Sequence, residues 1–129
     1  MATSPAFIAT AVIGSVNVST ANTAIDGSGT ITALLTGAAT GTRVLEIDAQ
    51  CAASSAAALV NVFLSTDSGT TWRLFDQISI SAATVSNTVK ANRNTTTYAN
   101  LVLKDATHRL GVTTTISQST NVIVLGGDL

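Results

Sequence analysis

At 129 residues the chain fits one domain, spanning 1–129, that buries roughly two thirds of the surface exposed by its unfolded form. Hydrophobic residues make 46% of it and aromatics only 4%, so the core is expected to be built from small, often β-branched side chains, which favours sheet over helix. Charged residues are 10% and the formal net charge is -1, with Lys and Arg scattered singly; no basic stripe marks a nucleic-acid or anionic-membrane partner.

In chain order, the opening "MATSPAFIATAVIGS" lacks the positively charged region of a secretory signal, and no apolar run approaches the ~20 residues of a membrane-spanning helix. Synthesis in cytoplasm and no membrane partner are the expectations. Residues up to about 10 read as an extended amino-terminal arm, and "AVIGSVNVS" as the first strand. Asp26 with Gly27 and Gly29 reads as a turn rather than a calcium loop. "TITALLT" from Thr30 and "RVLEIDAQC" from Arg43 flank a glycine-bounded turn and are expected to pair as a hairpin. In the second of these, Leu45, Ile47, Ala49 and Cys51 fall on the core face, and Val44, Glu46, Asp48 and Gln50 on the other. Cys51, the single cysteine, is a small core residue that can form neither an intrachain disulfide nor a thiolate cluster.

"LVNVFLS" from Leu59 and "WRLFDQISI" from Trp72 are strands joined by the stretch "STDSGTTW", Ser65 to Trp72. The second strand sets Trp72, Leu74, Ile78 and Ile80 inward, and Asp76 breaks that set, which requires a bulge or a partly wet carboxylate at an edge. "VSNTVKA", "YANLVLK", "RLGVTTTI" and "NVIVLGGDL" complete eight or nine strands without a convincing helix. In "RLGVTTTI" the inward set is Leu110, Val112, Thr114 and Ile116. The economical fold is an all-β antiparallel sandwich of jelly-roll type. Two stretches are apolar on both faces, and Phe7, Ile8, Val12, Ile13, Val122, Ile123, Val124 and Leu125 are therefore candidates for a subunit interface in a homo-oligomer.

Little in the chain points to catalysis. His108, the single histidine, lies in the turn "KDATHRL" and reads as solvated. Glu46 and Asp48 share a strand face at a spacing of about 6–7 Å, compatible with a glycosidase pair, but alternating acids on a solvent face are more simply a guard against edge pairing. No glycine-rich stretch has a phosphate-binding lysine and following helix, and no metal or other cofactor is expected. The stretch at Ser65, Asp67, Gly69 and Trp72 matches S-x-D-x-G-x-T-W, the Asp-box of sialidase propeller blades. One box in a chain with room for about two blades reads as a hairpin device: Asp67 accepts backbone N–H bonds, Gly69 takes positive φ, and Trp72 packs back. Sugar stacking by Trp72 is the other reading of that residue.

Across nearly its whole length the chain resembles small proteins encoded by tailed bacteriophages and prophages. The resemblance lies in "SPAFIATAVIGSVNVSTANTAIDGSGTI", "VFLSTDSGTTWRLFDQI" and "HRLGVTTTISQSTNVIVLGGDL". It implies a non-enzymatic virion component made in the host cytoplasm, of the decoration or cement kind that sits on the major capsid protein lattice, commonly as a homotrimer. The alternative it leaves is a tail, baseplate or fibre component with a receptor- or glycan-binding surface.

Overall fold

A computed structural model describes residues 8–129; Phe7 of the candidate interface lies outside them. Among the described residues there are eight strands and no helix: β1 (Thr10–Val18), β2 (Thr32–Thr36), β3 (Thr42–Cys51), β4 (Ala58–Ser65), β5 (Arg73–Ile80), β6 (Arg93–Leu103), β7 (Arg109–Thr114) and β8 (Thr120–Asp128). They form two four-stranded antiparallel sheets, β1-β8-β3-β6 and β2-β7-β4-β5, packed as a sandwich. β1 pairs with β8, β2 with β7, β3 with β6 and β4 with β5, so the chain is one long antiparallel hairpin rolled into a jelly roll. The tip of that rolled hairpin is the β4–β5 turn, which contains Asp67.

The core is aliphatic, as the composition requires: Val60, Val62, Leu110 and Val112 from one sheet meet Ile47, Ala49, Val122 and Val124 from the other. Cys51 is buried among them, with its Sγ 3.7 Å from Thr120 Oγ1. The glycine turn at Asp26 forms as expected: its carboxylate accepts the Ser28 N–H at 3.0 Å, and Gly27 and Gly29 have φ of 86° and 77°.

Several expectations from alternation are corrected. β2 and β3 do not form a hairpin. The Gly37–Gly41 connection crosses between sheets, placing β2 beside β7, while β3 lies between β8 and β6. In β3 a register shift between Val44 and Glu46 leaves Leu45 as an extra residue opposite β8. Ile47, Ala49 and Cys51 face the core as expected, but Val44 is 0% exposed and Leu45 is 40% exposed. The inserted residue reverses the alternation before it.

β5 behaves in the same way. Val62 of β4 pairs with Asp76 and Phe63 with Leu74, so Phe75 is bulged. Ile78 and Ile80 enter the core, whereas Leu74 and Trp72 pass to the opposite face. Asp76, which shares the face of Val62, is half-buried at the sheet edge, so the bulge and the wet-edge carboxylate occur together. Its Oδ2 accepts the Tyr98 hydroxyl at 2.8 Å, joining the edge strands β5 and β6 across the sandwich. Burial and the adjacent Asp76 carboxylate push the Tyr98 phenol above its ordinary value.

The segment 85–91, "VSNTVKA", is not a strand; it lies in the loop between β5 and β6, where only Ala83 bridges, to Ser55. β7 ends at Thr114, so Leu110, Val112 and Thr114 are buried but Ile116 is exposed.

Candidate functional site

The Asp-box builds the rolled hairpin's tip. Ser65 is buried at the end of β4; its hydroxyl donates to Asp67 Oδ1 at 2.8 Å and accepts the Gly69 N–H at 2.8 Å. Asp67 Oδ1 also accepts the Thr71 N–H at 2.8 Å. These bonds, from the Thr71 backbone first and the Ser65 hydroxyl second, hold the Asp67 carboxyl below its usual value. Ser68 and Gly69 have φ of 63° and 87°, a left-handed pair in which glycine removes the Cβ clash at the second position. The Ser68 N–H donates to Thr107 O at 3.0 Å, tying the tip to the β6–β7 connection. In that connection His108 Nδ1 accepts the Lys104 N–H at 3.2 Å, so the imidazole braces a turn.

Trp72 follows the box and lies, half-buried, against the outer face of the β2-β7-β4-β5 sheet. A Cβ on Gly111 would stand 3.0 Å from Trp72 Cζ3 and 2.6 Å from Ile31 Cγ2, so the indole and Ile31 lie directly over that glycine. Gly111 is the register partner of Phe63. Phe63 points away from the core residues Val60 and Val62, yet it is 0% exposed. A second small apolar cluster thus forms on this outer face, roofed by Trp72 and the β1–β2 loop. Trp72 belongs to it and is not an open stacking platform.

The outer face of the β1-β8-β3-β6 sheet is different. β1 is its edge strand, and the register sets Ile13 beside Leu125 and Ser15 beside Ile123. Ile13 is 70% exposed, and Ile123 and Leu125 are half-buried. The rest of the candidate interface is divided: Val122 and Val124 point into the protomer's own core, while Val12 and Ile8 are half-buried. The next strand, β3, contributes Glu46 beside Leu125 and Asp48 beside Ile123.

Asp48 is buried, and its Oδ2 lies 2.6 Å from Arg93 Nη2. Burial raises the Asp48 pKa, but the Arg93 guanidinium and neighbouring hydrogen-bond donors outweigh it and leave the group below its usual value. Glu46 is pushed up, by desolvation first and by Asp48 second. The two carboxyls are thus shifted in opposite directions, Asp48 down against the Arg93 guanidinium and Glu46 up beside it. No cluster of three or more His, Cys, Asp or Glu side chains able to hold a metal occurs among the described residues.

Alternation in the sequence identified the apolar ends of the chain but could not divide their residues between core and surface. The exposed Ile13 and its half-buried neighbour Leu125 were within that set. The Phe63 cluster was missed, because its signal, Gly111 opposite a phenylalanine, exists only once the β4–β7 register is known. No protein-family model, curated protein or solved structure matches this chain.

Proposed function

We propose that the chain is a structural protein of a tailed-bacteriophage virion, a decoration protein that binds the head lattice as a homo-oligomer, with a trimer favoured. Two independent supports meet in this reading. One is the sequence resemblance described above. The other, which matters most, is the exposed Ile13 on an edge strand, set beside Leu125 on a face that the described loops leave open.

An edge strand offers unpaired N–H and C=O groups, and an apolar side chain upon it favours pairing with another chain. Repeated over a lattice, contacts of this modest size add through multivalency, so a low-charge, hydroxyl-rich surface is sufficient for attachment. Electron microscopy of purified particles made with and without the protein tests the reading. Density on the heads that disappears with the gene is the expected result; density confined to the tail would refute it.

A further inference from the structure

The β1–β2 loop, residues 19–31, does more than roof Phe63. Where it leaves β1 it encloses a cleft of about 550 Å³ between the adjoining edges of the two sheets. That volume falls within the range of about 300–1,000 Å³ common for small-ligand clefts. We propose that this cleft is a binding site for an uncharged, polyhydroxylated ligand, an oligosaccharide of neutral sugars.

The ligand class follows from the lining. None of the residues forming the cleft is ionisable or aromatic; the polar ones bear hydroxyl or carboxamide groups, among them Asn17, Thr20, Thr30, Thr32 and Thr113. A charged ligand would have no counter-charge there, and a flat aromatic one would have nothing on which to stack. Hydroxyl groups instead complement a polyol, each able to donate and to accept.

Thr113 forms part of the inner wall and is 3% exposed. Its Oγ1 is closed off from the opening, as is Nδ2 of its register partner Asn61 on β4, so the groups that meet a ligand are the exposed hydroxyls of Ser19, Thr20 and Thr30.

The walls are also fixed in advance. Asn22 Nδ2 donates to the carbonyls of Ser28 and Thr30 at 3.1 and 3.0 Å, and its Oδ1 accepts the Ala24 N–H at 3.1 Å. The Asn22 N–H donates to Thr114 O at 2.8 Å, anchoring the loop to β7. Asn17 is held by Ser119 and Asn121, each at 2.9 Å. A preformed cleft avoids part of the ordering cost of binding. An added peptide strand is the other occupant to weigh, but β2 contributes only Thr32 and β1 only Asn17 and Val18 to the lining, too short a run for strand addition. The site is independent of head binding and stands or falls separately from it.

The test is an amide chemical-shift titration of the full chain with maltotriose, N,N′,N″-triacetylchitotriose and lactose, with trigalacturonate as the charged control. Saturable shifts at Thr20, Thr30 and Thr113 with at least one neutral sugar are expected, and none with trigalacturonate. Thr30→Ala, at the exposed rim, should weaken binding by about tenfold without lowering the melting temperature. Thr20→Ala repeats the test at a second exposed position. No shift at these amides with any neutral sugar, unchanged binding by Thr30→Ala and Thr20→Ala, or equal binding of trigalacturonate would each overturn the proposal.

Discussion

The two outer faces of the sandwich show how one chain treats the same kind of surface in opposite ways. On the β2-β7-β4-β5 sheet, Trp72 and Ile31 cover Gly111, and Phe63 beside it is fully buried. On the β1-β8-β3-β6 sheet, Ile13 and Leu125 stand side by side without such a roof, and the neighbouring strand adds the Asp48–Arg93 ion pair. On the first face, loops of the same chain cover the patch at Gly111 and Phe63 and contribute to stability, while Leu74 at the edge strand stays exposed. The second is left uncovered by the described loops, and it is the face proposed above as the contact surface. Apolar side chains on an outer face therefore have two meanings here, and the presence of a covering loop distinguishes them.

Substitutions on the two faces should separate accordingly. Phe63→Ala is expected to have the largest effect, a loss of about 3–5 kcal/mol in urea unfolding, because it empties a closed cluster. A value near zero would mean that the covered face is only a loose lid. Trp72→Ala, which removes the half-buried roof, should cost about 2 kcal/mol, roughly half the fully buried figure.

Asp67→Asn should cost less than either, seen as a lower unfolding midpoint at neutral pH, because the turn retains Gly69 and the Ser65 hydroxyl. Its pH dependence has a definite sign. The folded Asp67 carboxyl titrates below its ordinary value of 3.8, so the folded state binds the proton less readily than the unfolded chain. Its stabilisation is complete above the unfolded value and is lost as pH falls through the folded one. Wild type and Asp67→Asn should therefore differ at pH 7 and converge in acid; a difference that grew on acidification would contradict the hydrogen-bonding assigned to the turn. Ile13→Lys, on the open face, should change stability by no more than about 0.5 kcal/mol, since Ile13 is 70% exposed among the described residues.

Much of this plan was legible in the sequence. The small-residue composition, the alternation in "RVLEIDAQC", the apolar run "LVNVFLS" and the turn residues around Asp67 lead directly to β3, β4 and the hairpin tip. Two physical features were not legible. In a rolled hairpin most successive strands belong to different sheets, so the short connection from Thr36 to Thr42 looks like a hairpin and is a crossover. The extra residues Leu45 and Phe75 shift the phase of alternation within their strands, which no period-two count detects without a partner strand. The second shift carries Trp72 and Leu74 from the expected core to the covered outer face. In "VSNTVKA" the alternation is real, but no neighbouring strand is placed to pair with it.

The most direct measurement of the central claim is reconstitution. Heads lacking the protein are incubated with wild type or with Ile13→Lys at the same concentration, and occupancy is read by electron microscopy after sedimentation. Saturated sites for the wild type and strongly reduced occupancy for Ile13→Lys, with unchanged stability of the free protein, are predicted. Equal occupancy by the two would contradict the assignment of the open β1 face as the contact surface.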